Sequence, residues 1–227
     1  MSDNYDRFMS AKEEEVSTDK RADPDTFVRH QEEVFNGAAD YFSADGFVSK
    51  ELRKRLERLV GSGLGKRELE SGVRILDVGA GCGALTEVLL EKNPGADITA
   101  VDLSEKMLEV LSSRYPGVKT VRKDILKFSS PVNFDSVWFN ACFGNLLDPG
   151  AVIRHIAAQM TYGAKLHISH PMGRRFQQGL HEKYPQVVPH TLPADKNQAN
   201  RLVEGTGLVM EQMVDEKKLY LLSFRRL

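Results

Sequence analysis

The residues in this chain with the plainest chemical potential are three carboxylates that follow apolar runs, a row of alternate glycines and one histidine. The first carboxylate, Asp77, lies in Ile75-Leu-Asp-Val-Gly-Ala-Gly-Cys-Gly-Ala-Leu-Thr86, just ahead of Gly79, Gly81 and Gly83. A turn without side chains lets a ligand approach the backbone, and the free N–H groups at a helix start favour electron-rich groups. Dinucleotide sites usually show G-x-G-x-x-G, whereas these glycines alternate and follow an acid that would repel a pyrophosphate. The same acid suits an ammonium group, reached directly or through water. The methionine part of S-adenosylmethionine offers that ammonium together with a sulfonium. Further on come Asp102, Asp124 and His170; a histidine directly after an apolar strand is a candidate acid or base.

These residues need elements to hold them. Val73, Ile75, Leu76 and Val78 suit a buried parallel strand, and Leu85, Val88, Leu89 and Leu90 recur at helical spacing, so the segment reads as strand, glycine turn and helix. Ile98-Thr-Ala-Val-Asp102 is the next strand, ending in an acid about 20 residues on, where ribose hydroxyls are bound in related folds. Asn133 to Asn145 reads as a further strand with small and polar groups at its end. Ligands bind beyond the carboxyl ends of strands in open α/β sheets, which brings Asn140, Ala141, Cys142 and Phe143 to the site. Asp148 to Met160 reads as a helix, Tyr162-Gly163 as a turn, and Ala164 to Ser169 as a strand leading straight into His170-Pro-Met-Gly-Arg174-Arg175. A helix over 195–205 and two apolar runs, Leu208 to Val214 and Leu219 to Phe224, close the chain. Cys82, inside the glycine turn, reads as a packing residue.

Asp77-x-Gly79-x-Gly81-x-Gly83, Asp102 with Ser104-Glu-Lys-Met107 after it, and Lys123-Asp124-Ile125 together resemble the class I S-adenosylmethionine-dependent methyltransferases. The resemblance implies an α/β fold: a three-layer αβα sandwich on a seven-stranded, mostly parallel sheet with an antiparallel last strand, spanning residues 71–227. It implies cofactor contacts from Asp77, Gly79, Ala80, Gly81, Gly83, Asp102, Leu103, Met107, Asp124, Ile125, Asn140 and Ala141. Asp102 would take both ribose hydroxyls, Asp124 the adenine amino group, and a carbonyl at Asn140 the ammonium. The product would be S-adenosyl-L-homocysteine. Val34-Phe-Asn-Gly-Ala-Ala-Asp-Tyr41-Phe42 loosely resembles the lid of quinone-biosynthesis and related small-molecule enzymes, so residues 26–70 are expected to form a helical lid or cap. The alternative is that these aromatics simply pack a helix on the sheet. Tyr41 and His170 are the candidate catalytic residues, with His170 as a base where the nucleophile starts protonated. Tyr41, Phe42, Phe143, His170, Arg174 and His190 are the candidate acceptor-binding residues. The segment Ile168 to Gly173 and Pro189-His190-Thr-Leu-Pro193 look similar to plant and algal members of unassigned role. Asn140-Ala-Cys-Phe143 departs from the Asn/Asp-Pro-Pro-Tyr/Phe pattern of enzymes that methylate planar amine nitrogens, which disfavours DNA bases.

The whole chain of 227 residues carries 31 Lys and Arg against 32 Asp and Glu, a net charge of −1, so no global field draws it to nucleic acid or an anionic membrane. Its basic stretch between Lys50 and Arg67 is interleaved with Glu51 and Glu57 and reads as the wet side of an amphipathic helix. The two cysteines, Cys82 and Cys142, lack metal or disulfide spacing, so no metal is expected and a reducing, cytoplasmic compartment is. An organelle is the alternative if a leader has been trimmed away. Residues 1–25 are acidic and poor in apolar groups, as a mobile tail would be. The expected reaction is methyl transfer to a small molecule. The other readings are an RNA or protein methyltransferase, a noncatalytic methyltransferase-like subunit, or an NAD-dependent oxidoreductase.

Overall fold

The computed structural model describes residues 23–227. Most of the tail expected over residues 1–25 therefore lies outside the described residues, while residues 24 and 25 already belong to a helix. That helix, α1 (Pro24–Ser43), starts where the Asp23 carboxylate accepts the N–H groups of Asp25 and Thr26, both at 3.2 Å, with Pro24 in the first turn. A second helix, α2 (Lys50–Gly63), is capped by the Ser49 hydroxyl on Leu52 N–H. Then follow β1 (Arg74–Val78), α3 (Ala84–Lys92), β2 (Asp97–Asp102), α4 (Glu105–Arg114), β3 (Lys119–Arg122) and β4 (Phe134–Asn140). The chain ends with α5 (Pro149–Ala157), β5 (Met160–His170), α6 (Arg174–Lys183), α7 (Lys196–Leu202), β6 (Leu208–Glu216) and β7 (Leu219–Arg226).

The seven strands lie in the order β3-β2-β1-β4-β5-β7-β6, and β7 runs antiparallel to both neighbours in an otherwise parallel sheet. Strand alternation sorts side chains onto two faces. Leu76 and Val78 of β1, Val137 and Phe139 of β4, and Tyr220, Leu222 and Phe224 of β7 pack with Ile153 and Ile156 of α5 on one face. Ile75, Trp138, Leu219 and Leu221 pack on the other, against Leu56 and Leu59 of α2, Leu85 and Leu89 of α3, and Leu111 of α4. The result is the expected three-layer αβα sandwich. Strand order reverses between β1 and β4, so the loops after their carboxyl ends diverge and leave a crevice.

The N-terminal segment serves two places. α1 lies over that crevice, while α2 packs in a sheet layer beside Trp138 and adds Leu52 and Leu56 to the crevice lining. Three local expectations also change. Tyr162 and Gly163 do not turn the chain but sit inside β5, which starts at Met160 and slips register against β4 between the Phe134 and Ser136 pairings. Gly163, at φ 78°, supplies the irregularity. The run from Arg174, to which the sequence pattern assigns no element, contains α6, and β6 extends through Asp215 and Glu216, so the hairpin turns at Lys217 and Lys218.

Trp138 is fully buried, stacked on His167 with ring centroids 4.0 Å apart, while the His167 Nδ1 pairs with the Ser223 hydroxyl at 2.9 Å. The indole reaches the last turn of α2, where a Cβ on Gly63 would stand 2.5 Å from Trp138 Cη2. Gly63→Ala is therefore expected to lower stability by about 1–3 kcal/mol, read as a lower urea midpoint at an unchanged slope. An unaltered midpoint would show that the indole can move aside.

Candidate active site

The crevice beyond β1 and β4 is a cavity of about 710 Å³, walled by apolar side chains with a few polar groups set among them. Its floor is the glycine turn. Gly79, Gly81 and Gly83 all have left-handed φ angles, 63°, 54° and 88°. Gly79 and Ala80 donate their N–H groups to Val101 O, at 2.8 and 3.3 Å, which fastens the turn to β2. A Cβ on Gly79 would stand 2.5 Å from the Cys142 Cβ, so the turn also fits closely under the loop after β4. Cys142 itself donates its thiol to Val78 O at 3.0 Å. Gly83 makes no side-chain cap for α3 and packs toward Leu111 and Tyr115; it sets the helix start and does not line the cavity.

Asp102 ends β2 and holds the turn from below. One carboxylate oxygen accepts Gly81 N–H and the other Ser104 N–H, both at 2.8 Å. Burial raises its pKa above the usual carboxylate value, against the lowering effect of these N–H groups. The Leu103 N–H also lowers it, and the carboxylate keeps acceptor capacity for hydroxyl groups. Asp77 is buried more deeply, with Thr86 donating its hydroxyl at 2.7 Å. Burial pushes its pKa up to about 7, with Thr86 lowering it and the Asp102 charge raising it. Asp124 and Ile125 follow β3 and line the far end, where Asp124 accepts Leu126 N–H at 3.0 Å.

Opposite this wall stands the end of β4. Asn140 accepts the Ser169 hydroxyl at 2.9 Å, and Ala141, at φ 57°, is the one non-glycine residue with a left-handed φ among the described residues. Such a conformation is uncommon for alanine and marks a sharp exit from the strand at the ligand side. The helix α1 closes the top. Asn36 accepts the Ser104 hydroxyl at 2.8 Å, Arg114 donates to Ser43 O at 2.7 Å, and Glu32 pairs with Arg122. On its other side Gln31 donates to Val187 O at 2.8 Å, an acceptor shared with Asn145 at 3.0 Å. The Gln31 Oε1 is buried without a partner, and the residue lines the cavity.

Of the expected acceptor-side residues, the structure brings Tyr41, Phe42 and His170 to the cavity and leaves three elsewhere. Phe143 turns into the core edge-on to Phe139. Arg174 pairs with Asp215 at 2.6 Å, and its neighbour Arg175 lines the cavity instead. His190 holds Leu147 O at 2.9 Å and serves the loop. The aromatic rings of Tyr41, Phe42 and Phe47 meet edge to face, with centroids 5.0 to 5.4 Å apart. Burial raises the Tyr41 phenol above its usual pKa, so it stays protonated near neutrality.

The role expected for His170 also changes. Its Nδ1 accepts Met172 N–H at 3.2 Å, and burial lowers its pKa to about 4. The neutral ring therefore carries its proton on Nε2, as a donor with no lone pair there to act as a base. Sequence reasoning missed Phe27, Gln31 and Phe35 of α1 and Phe176 and Leu180 of α6 as lining residues. The helical spacing of the first three was the available signal; nothing local told which side of α1 would face the ligand.

Within the chain, residues 76–166 match a family model described as a methyltransferase domain. The malonyl-[acyl-carrier protein] O-methyltransferase of Bacillus anthracis is 32% identical over 157 residues, 67% of this chain and 56% of that protein. The ubiquinone biosynthesis O-methyltransferase of Idiomarina loihiensis is 32% identical over 104 residues, covering 43% of this chain and 42% of its own. This chain spans about half the length of the curated relatives it matches. Among solved structures, the N-methyltransferase NodS of Bradyrhizobium japonicum WM9 with S-adenosyl-L-homocysteine superposes with a TM-score of 0.60 at 17% identity, over 85% of this chain and 98% of that one. The fold is thus the class I, Rossmann-like fold of S-adenosylmethionine-dependent methyltransferases, related to small-molecule O-methyltransferases.

The Asp77 carboxyl also links the stability of the fold to pH. Because its folded pKa is raised, the ligand-free fold binds a proton that the unfolded chain releases near pH 4, and stability falls as pH rises from there through about 7. Asp77→Asn removes that loss. The variant is expected to match the parent at pH 4 and exceed it by on the order of 2 kcal/mol at pH 8. Equal stability differences at both pH values in denaturant melts would show that Asp77 is not strained by burial.

Proposed function

We propose that this class I methyltransferase domain transfers a methyl group from S-adenosylmethionine to a small-molecule acceptor, releasing S-adenosyl-L-homocysteine. The observation that carries the reading is one wall of a single cavity on which Asp77, the glycine turn, Asp102 and Asp124 stand in the order of β1, β2 and β3. The donor set fits the cofactor. In this assignment Asp102 takes the ribose hydroxyls with its remaining lone pairs, Asp124 and the backbone at Ile125 take adenine, and Met107 packs below the ring. Asp77 and the Asn140 carbonyl attract the ammonium, while Leu103, Ala80 and Ala141 complete the contact. The sulfonium supplies the electrophilic methyl; the protein aligns the partners and excludes water.

The lid favours a small acceptor. α1 is bound on both sides of the crevice, by Asn36, Ser43 and Glu32 on one and by Gln31 on the other, so RNA or a folded protein would have to displace it. Tyr41 and Phe42 then pack against the acceptor. The two cysteines are unpaired, which supports a cytoplasmic setting; among the described residues no helix is long and apolar enough to cross a membrane.

Calorimetry with S-adenosyl-L-homocysteine and NADH side by side tests the assignment. Binding of the first alone is expected, weakened at least about tenfold by Asp102→Asn through loss of charge-assisted hydrogen bonds. NADH binding, or an unchanged affinity in the variant, overturns it. Affinity for S-adenosyl-L-homocysteine should also rise as pH climbs through about 7, where Asp77 ionises and can meet an ammonium, and Asp77→Asn should flatten that rise.

A further inference from the structure

The acceptor half of the cavity holds a donor, His170, and two cations, Arg175 and Lys183, and no carboxylate. His170 ends β5, on the far side of the β1–β4 crevice from Asp77, Asp102 and Asp124. Its Nδ1 is committed to Met172 N–H, and among the described residues its Nε2 has no protein partner, although the ring lines the cavity beside Phe176, centroids 5.6 Å apart. Exchanging the tautomer would set an Nδ1–H against the Met172 N–H, two donors facing each other. The ring is thus locked as a donor toward the ligand. Arg175, one turn along, lines the same cavity and has no carboxylate partner among the described residues, whereas Arg174 is neutralised by Asp215. Phe35, Phe42, Leu146 and Leu180 give this side its apolar surface, with Gln31, Asn145, Gln177 and Lys183 set among them.

We propose that the acceptor is a carboxylic acid with an apolar body, one carboxylate oxygen held by the Nε2–H of His170 beside Arg175 and the other methylated to an ester. The proposal rests on the methyltransferase reading above. An alcohol, phenol or ammonium acceptor must lose a proton to something, and neither His170 nor the half-buried, protonated Tyr41 and Cys142 takes one near neutrality. A carboxylate arrives already ionised. Its free oxygen forms the new C–O bond to the methyl carbon while the S–C bond breaks and its electron pair stays on sulfur. Sulfonium becomes neutral thioether, the carboxylate becomes a neutral ester, and no proton moves. A neutral donor suits this step better than a buried cation, which would hold the anionic ground state more tightly than a transition state that is losing that charge.

The test uses the full chain, methyl-labelled S-adenosylmethionine and the small-molecule fraction of a cell extract, followed by mild alkali. Esters release the label as volatile methanol, whereas methyl ethers, N-methyl and C-methyl products keep it. Volatile label is expected. Alkali-stable label, or no transfer by protein that binds S-adenosyl-L-homocysteine in calorimetry, overturns the carboxylate proposal while leaving the cofactor site intact. Absence of that binding removes the methyltransferase reading itself. His170→Gln, which restores an N–H near the Nε2 position, should keep transfer within roughly fivefold, while His170→Phe should raise KM by at least about tenfold. Equal losses in both variants overturn the donor role. Nitrogen NMR of the His170 ring gives an independent reading: a protonated Nε2 and an unprotonated Nδ1 are expected, and the opposite tautomer overturns the assignment.

Discussion

The hydrogen bonds between Asp102 and the backbone on either side of it, Gly81 N–H and Ser104 N–H, are the constraint from which the site is built. A glycine turn with three left-handed residues has no side chains to fix it and loses much conformational freedom on folding. It keeps one shape because the carboxylate, with Val101 O, occupies its donors from the neighbouring strand. The same carboxylate starts α4 in place, since Ser104 also caps that helix through Met107 N–H. Thus the residue that best suits sugar hydroxyls is also the one that shapes the floor they would rest on.

Around that floor the structure separates two electrostatic environments. The cavity carboxylates belong to the β1, β2 and β3 side, with Lys123 beside Asp124, and the donor His170 and the cations Arg175 and Lys183 belong to the β5 and α6 side. The separation follows from topology, because strand order reverses between β1 and β4 and sends successive loops to opposite sides of the crevice. Under the proposed assignment it keeps a cationic cofactor and an anionic acceptor from competing for the same partners. Burial strengthens both environments: it raises the Asp77 carboxyl and lowers the His170 imidazolium, so neither bears a full charge without a ligand to justify it.

The lid joins the two sides. Its polar tethers to Ser104, Arg114 and Arg122 lie toward the cofactor wall, and its Gln31 tether and Val34 lie toward α6 and the Val187 loop. Opening α1 must therefore break contacts on both walls at once, which links access for the acceptor to the state of the cofactor floor. Gln31 Oε1 stands out in this arrangement as a buried acceptor lacking a partner, a condition that favours an acceptor molecule bearing a donor of its own.

How much of this could be read along the chain depends on the range of the interactions involved. Local pattern was enough for the αβα layers and the glycine turn, because alternation along β1, β4 and β7 and the glycine spacing after Asp77 are fixed by neighbours in sequence. The acids at the strand ends were legible for the same reason. Local pattern falls short where partners come from far away: that α2 packs on the sheet beside Trp138 while still lining the cavity is set by tertiary contacts, and Tyr162-Gly163 resembles a turn until pairing with β4 absorbs it as an irregularity. Phe143, Arg174 and His190 lie beside lining residues in sequence, yet Phe139, Asp215 and Leu147 O turn them aside. The type of residue at position 170 was set by the sequence; whether its ring acts as base or donor was decided by one backbone N–H, from Met172, that only the folded turn brings against Nδ1.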